Sequence, residues 1–365
     1  MNLFMLSAPY QLLNALEAIH HFQFADNHLR IIDTGVFSVA QFESVIDPAV
    51  WKSVRFDDFR YKLSHLDFGR RRPENIWEHA LEFYLLFNHF QKRQRANRIA
   101  RSTGPLDNLI LGSYQKNYDA HMRHLARHLS YKGLYLLDVG TDTLRIIRDR
   151  ERDNAMEPAR AEAAPRSAIK RLKQSARKVL LDWDTRGVPA LTFFTAYDLQ
   201  PSGQDRIVRN EYTYLRSAVA NAEASDKVLF VGQPLVDQGY ITCETFTTCM
   251  SRIQAHYSGR RLLYVPHPRE TEVQLGIVRG LGIGIHRFSA PFEHAVAFSG
   301  ERPDCIASFF SSAVENSAAI FGSAVAVRAF RLPDSVLLKD HAEVARVYRQ
   351  FGENGQSRID IGEAL

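Results

Sequence analysis

Four short segments carry side chains whose types and spacing could do chemistry. In Tyr264-Val265-Pro266-His267-Pro268-Arg269-Glu270, an apolar run feeds a histidine set between two prolines. Proline fixes its own φ and restricts the residue before it, which would hold the imidazole in one direction. A held imidazole can donate to a phosphate oxygen or supply a proton to a leaving group, or it can be a structural loop residue. In Phe309-Phe310-Ser311-Ser312-Ala313-Val314, paired serines stand between an apolar run and a helical pattern. Two hydroxyls at a helix start suit an anion such as phosphate, and they equally suit ordinary N-capping. Pro291-Phe292-Glu293 offers a carboxylate after a proline-bounded turn, able to accept from ribose hydroxyls or to sit as a surface or capping glutamate. Asp138-Val139-Gly140-Thr141-Asp142 puts a carboxylate at the exit of an apolar run beside a glycine, a position for a general base or for a turn aspartate.

The elements that must position these residues alternate. Leu3–Leu6, Leu29–Ile32, Leu109–Leu111 and Leu134–Leu137 read as strands, with helical spacing at Leu12, Leu13, Leu16 and Ile19 and a long helix over residues 74–101. Pro9 suits the first turn of the first helix, with Ser7 or Ala8 near its cap. Val228–Val231, Arg261–Val265 and Cys305–Phe309 repeat the strand pattern, each ending in one of the polar motifs or in Gly232-Gln233-Pro234. Alternating strands and helices predict parallel sheets covered on both faces, with ligands beyond the carboxyl ends of the strands. A segment over 150–180, rich in Ala, Glu, Arg and Pro and then in Lys and Arg, reads as a basic linker or insertion. It falls within a first domain over 1–225, with a second over 226–365.

The chain's 365 residues suit about two domains. With 45% hydrophobic and 24% charged residues it can bury a sizeable core, which excludes a mainly disordered chain. A net charge of +5 favours anionic partners without choosing among phosphates, acidic sugars, anionic lipid or nucleic acid. Three cysteines without a CxxC pair argue against a disulfide framework and a zinc knuckle. The apolar run at Met1–Leu6 reads as a buried strand, not a signal peptide, and no stretch approaches the ~20 apolar residues of a spanning helix. A cytoplasmic chain is expected, with peripheral contact at a membrane surface as a further expectation. His121, His124 and His128 share a helix face and read as a solvated face rather than a metal site. Asp182-Trp183-Asp184 has the D-x-D pattern of metal-dependent transferases but follows a basic helix, so no metal is expected. There is no GxGxxG or GxxxxGK[ST] loop.

The motif order Asp138-Val139-Gly140, His267-Pro268, Ser311-Ser312 resembles the bacterial sialyltransferases and polysialyltransferases of the GT-B fold. Ser7-Ala8-Pro9-Tyr10-Gln11-Leu12, Phe193-Phe194-Thr195-Ala196-Tyr197, Gly232-Gln233-Pro234-Leu235 and Pro291-Phe292-Glu293 look like segments of the polysialyltransferase-like and lipooligosaccharide sialyltransferase families. Val139 departs from the second acidic position of that pattern. The resemblance implies two Rossmann-like domains facing each other across a cleft. It implies an inverting transfer of a sialic acid or related nonulosonic acid from a CMP donor to a glycan acceptor, lipid-linked among others, with no metal or other cofactor. His267, Pro268, Ser311, Ser312, Glu293 and Gly232 would hold the CMP portion, and Asp138 would be the base, with Asp142 as the rival. Two other readings accompany it. One is a related GT-B transferase using another nucleotide sugar such as a UDP-hexose. The other is a basic nucleic-acid- or membrane-surface-binding protein, although no recognition motif for nucleic acid appears.

Overall fold

The computed structural model describes residues 1–60, 76–115, 119–138, 142–155, 183–188, 190–322, 324–353 and 359–364. Val139 and Gly140 of the acidic motif, Asp182 and most of the basic linker lie outside the described residues. The chain divides into two compact units, Met1–Asn210 and Glu211–Leu365.

The first unit runs β1 (Asn2–Leu6), α1 (Gln11–Phe22), β2 (Asn27–Asp33), α2 (Val39–Glu43), β3 (Ser53–Asp58), α3 (Ile76–Ser102), β4 (Leu106–Leu111), α4 (Ala120–His128), β5 (Tyr131–Leu137), α5 (Asp142–Ala155), β6 (Thr192–Thr195) and β7 (Arg206–Arg209). Its sheet has the order β3-β2-β1-β4-β5-β6-β7, with every neighbouring pair parallel. All five residues of β1 are buried, which is why that strand reads as an unbroken apolar run rather than an alternating one.

The second unit runs α6 (Thr213–Ala220), β8 (Glu223–Ala224), β9 (Lys227–Val231), α7 (Cys243–His256), β10 (Arg261–Val265), α8 (Glu272–Gly280), β11 (Gly284–Ile285), α9 (Phe292–Phe298), β12 (Glu301–Arg302), β13 (Cys305–Ser308), α10 (Ser312–Phe321), β14 (Ala326–Arg331), α11 (His341–Glu353) and β15 (Ile359–Glu363). The main sheet is parallel in the order β11-β10-β9-β13-β14-β15, and β8 and β12 pair separately. Phe230 stands at the middle of its core, 5.1 Å from Phe309 edge to face and stacked 5.9 Å from Tyr264. These rings tie β9, β10 and β13 together directly below the strand ends.

Both sheets are doubly wound, with the strand order reversing between β1 and β4 in one and between β9 and β13 in the other. Such a reversal opens a crevice at the carboxyl ends of the two central strands, where open α/β sheets take their ligands. Two doubly wound units in one chain make this an α/β protein, as the strand pattern predicts, with the two Rossmann-like domains of the GT-B class that the resemblance implies.

The histidine helix corrects one expectation. In α4, His121 and His124 are buried rather than solvated, and only His128 is exposed. His121 stacks on Phe59, with ring centres 5.2 Å apart. The Nδ1 of His124 accepts from the Asp184 N–H at 3.1 Å, and its Nε2 faces the Asn97 amide oxygen at 2.9 Å. Three histidines on one face suggested polarity, but α3 and the 183–188 segment cover that face. Among the described residues no group of three His, Cys, Asp or Glu side chains could hold a metal. Asp184 of the D-x-D pattern pairs with Arg186 at 2.8 Å.

Candidate functional site

The strand reversal of the second unit gathers the polar motifs. Gly232 and Gln233 leave β9, His267 leaves β10, Ser311 and Ser312 follow β13, and Glu293 follows β11. These strands are neighbours in the sheet, so four loops distant in sequence emerge along one edge. Main-chain and side-chain bonds join them. The Gly232 N–H donates to the Val265 carbonyl at 2.8 Å, and the Phe310 N–H donates to Gln233 Oε1 at 3.0 Å.

His267 is aimed by its own loop. Its Nδ1 accepts the Arg269 N–H at 3.1 Å, which requires an unprotonated Nδ1 and leaves the ring proton on Nε2. Burial first, and the Arg269 guanidinium second, push the imidazole below its ordinary pKa. The neutral ring therefore presents an N–H donor rather than a charge. Pro268 beside it is exposed and holds the turn.

Ser311 is an N-cap: its backbone is extended (φ −77°, ψ 140°) and its hydroxyl accepts from the Ala313 N–H at 3.2 Å. Capping consumes an acceptor lone pair and leaves the hydroxyl proton to donate. Ser312 occupies the first helical position and is exposed. Capping and anion binding are thus compatible here, because α10 has ten residues and directs the positive end of its dipole to this edge. Glu293 lies in the first turn of α9 and accepts from the Asn316 amide of α10 at 3.0 Å. That bond sets the carboxylate one helical turn from the serines.

Gly232 is a glycine for a steric reason. A Cβ there would lie 2.3 Å from Glu270 Oε1 and 2.6 Å from the Tyr264 hydroxyl. Glu270 accepts the His267 N–H at 2.9 Å and the Tyr264 hydroxyl at 3.0 Å, and burial pushes its pKa up to about 7. Gln274 is fully buried and donates to Tyr264 and to the Gln233 carbonyl. Gln274 and Asn316 escaped the sequence reading, and Glu270 and Gln233 stood in its motifs without a role of their own. The signal was present only as polar residues inside otherwise apolar or proline-framed segments.

In the first unit, Asp138 sits just beyond β5 and is 3% exposed. Its carboxylate accepts from Thr143 at 2.6 Å, and from the Thr195 hydroxyl and the Ala196 N–H at 3.1 Å each. Its carbonyl accepts from the Asn14 amide at 2.9 Å. The carboxylate thus ties together the ends of β5 and β6, the start of α5 and, through its main chain, α1. Asn14 and Thr143 were not singled out in the sequence, although Asn14 interrupts the apolar face of α1, and Thr195 stood there only within the Phe193–Tyr197 segment of the resemblance.

No family model matches the chain, and no characterised protein matches it by sequence. Among solved structures, an E. coli heptosyltransferase, WaaC, with ADP-2-deoxy-2-fluoro heptose aligns at 11% identity and a TM-score of 0.42, covering 96% of this chain and 100% of that one. Phytolacca americana UGT2, complexed with UDP-2fluoro-glucose and pterostilbene, aligns at 14% identity and a TM-score of 0.44, covering 98% and 91%. LpCGTa in complex with UDP aligns at 14% identity and a TM-score of 0.47, covering 99% and 84%.

Proposed function

We propose that this protein is an inverting, metal-independent glycosyltransferase that binds a nucleotide-activated sugar along the carboxyl edge of the second sheet. The observation that carries this reading is the cluster at the β9/β13 reversal: the Nε2 donor of His267, the two serines at the start of α10, and Glu293 tied to that helix. The first two suit a phosphate and the third suits vicinal ribose hydroxyls. Donors and a helix N-terminus can offset the charge that develops on a departing nucleotide phosphate without a metal. In the transfer, an acceptor hydroxyl oxygen bonds to the anomeric carbon as the sugar–phosphate bond breaks. The bonding pair leaves with the phosphate, and a base takes the hydroxyl proton. Asp138 is the base this reading assigns, on the motif order of the resemblance.

The finer donor reading is a CMP-linked sialic acid or related nonulosonic acid, delivered to a glycan acceptor, and it rests on the sequence motifs. The heptosyltransferase named above holds an ADP-linked heptose, UGT2 a UDP-linked glucose and LpCGTa UDP, and a UDP- or ADP-linked donor is the second reading. His267 and the serines serve a phosphate in either case. Titrating CMP, UMP, UDP and ADP into the protein with EDTA present, and then screening CMP- and UDP-sugars for slow hydrolysis, separates them. Tightest binding of CMP with hydrolysis of a CMP-sugar supports the first reading. Preference for UDP or ADP supports the second. Binding of none, or a strict need for a divalent ion, overturns the metal-independent transferase reading.

A further inference from the structure

A carboxylate outside the set of donor-facing groups holds the loop that carries His267. The turn His267-Pro268-Arg269-Glu270 is closed twice. The Glu270 N–H donates to the His267 carbonyl at 3.0 Å, and the His267 N–H donates back to Glu270 Oε1 at 2.9 Å. The other carboxylate oxygen accepts from Tyr264 at 3.0 Å. Gln274 Nε2 donates to that same tyrosine oxygen at 3.0 Å and to the Gln233 carbonyl at 2.7 Å, while its Oε1 accepts the Val236 N–H at 3.0 Å. Gln233 in turn receives the Phe310 N–H, one residue before Ser311. One chain of bonds therefore runs from the histidine turn, through β10 and α8, to the loop that begins the serine helix.

This carboxylate is costly where it stands. Burial dominates the rise of its pKa, and Asp237 adds to it. Gly232 forgoes a side chain to make room for it. A neutral or apolar residue would fold at this point with less desolvation. What the carboxylate supplies is two acceptors at one place, and one of them is spent on the main chain of His267.

We propose that Glu270 is a positioning residue that sets the direction of the His267 imidazole toward the donor phosphate, acting through the His267 N–H and braced by Tyr264 and Gln274. The inference rests on the donor-site reading given above. It predicts that the effect of Glu270 on nucleotide binding passes through the imidazole.

The test is a double-mutant cycle on the full chain, with CMP, UDP and ADP each titrated by calorimetry and the tightest of them followed. His267→Ala should weaken binding about 10- to 100-fold, because it removes a hydrogen bond to a charged group. Glu270→Ala should weaken it about 10-fold, and the double variant should bind within about 2-fold of His267→Ala alone, since coupled residues are not additive. Glu270→Gln keeps an acceptor for the His267 N–H and removes the buried charge. It should fold as well as the wild type and recover most of the affinity that Glu270→Ala loses. A Glu270→Ala penalty that persists undiminished beside His267→Ala overturns the inference, as does wild-type affinity in Glu270→Ala. If Glu270→Ala does not fold, Glu270→Gln decides: affinity as low as that of His267→Ala overturns the inference. Wild-type affinity in His267→Ala, or no nucleotide bound by the wild type, overturns the donor-site reading itself, and the Glu270 assignment falls with it.

Discussion

Nδ1 of His267 is occupied by a main-chain donor, so only Nε2 can face a ligand, and it does so as a neutral N–H. The group is suited to hydrogen bonding with a phosphate oxygen, and its contribution should not vanish when pH rises above neutrality. Asp138 presents the opposite case. A carboxylate that accepts from two hydroxyls and a main-chain N–H is a structural tie whatever else it does. Asp138→Asn turns an amide group toward at least one of those donors, and it should cost about 1–3 kcal/mol of stability. If Asp138 is also the base, turnover at a temperature where the variant is folded should fall about 10²- to 10⁴-fold. Chemical denaturation and transfer kinetics on the same variant check both. Turnover near the wild-type level, with the stability loss intact, would leave Asp138 as a tie only and move the base to another carboxylate.

At the scale of elements, two joints decide whether the loops sit where chemistry needs them. The first is the clasp over Gly232, where β9 and β10 end side by side. Gly232→Ala would drive a methyl into Glu270 and Tyr264, which are held by other bonds and cannot both withdraw. Overpacking of this kind should cost about 1–3 kcal/mol. It should weaken nucleotide binding as well, because the displaced carboxylate anchors the His267 turn. A melting curve and a nucleotide titration on this variant give the two numbers, and unchanged binding would show the turn to be indifferent to the clasp. The second joint is in the first unit, where Arg150 of α5 grips Asp205 with two bonds of 2.5 Å, and Asp205 also accepts the Leu191 N–H at 2.9 Å. Both side chains are almost fully buried. Asp205→Ala would leave the guanidinium buried without its counter-charge, and breaking such a pair costs about 3–5 kcal/mol. Denaturant unfolding should show that loss, and a change under 1 kcal/mol would mean that water reaches Arg150 in solution.

Across the whole molecule, buried titrating groups make the stability of both units depend on pH. In the first unit, burial is the leading cause that holds His121 and His124 down to about 4, below the ordinary 6.5. The unfolded chain then binds more protons between those values. Their contribution to stability is complete above about 6.5 and is lost as pH falls through about 4, on the order of 3 kcal/mol each. Glu270 in the second unit is raised from 4.5 to about 7, so its contribution is complete below about 4.5 and is lost as pH rises through about 7. His256, His267 and His294 of the second unit are also held below their ordinary pKa, burial leading in each, and there they oppose Glu270. Acid should therefore weaken the first unit more than the second. All three tryptophans, Trp51, Trp77 and Trp183, lie in the first unit, so their fluorescence reports its unfolding alone. Between pH 7 and pH 5 the midpoint from tryptophan fluorescence should fall, and by more than the calorimetric transition of the second unit. An equal fall of both, or a larger fall in the second unit, would contradict this assignment.

The alternation of apolar runs with helical periodicity was enough to determine the α/β class, because buried parallel strands and amphipathic helices leave different periods in the chain. Polar residues at strand exits marked His267, Ser311, Ser312 and Asp138 as candidates, because strand ends are where an open sheet meets its ligand, and a proline-bounded turn marked Glu293. The first helix start was misjudged locally: Pro9 precedes it, and Gln11 reaches back to bond the Ser7 and Ala8 N–H groups. What only the tertiary structure decided is who stands beside whom. Gly232 looked like a ligand-facing glycine, and the fold shows its missing side chain filled by Glu270 and Tyr264. His121 and His124 looked solvated, and packing against Phe59 and Trp183 buried them. Glu270, Gln274 and Asn316 gain their meaning from partners on other elements, and no period or local spacing encodes a neighbour brought close by the strand order of a sheet.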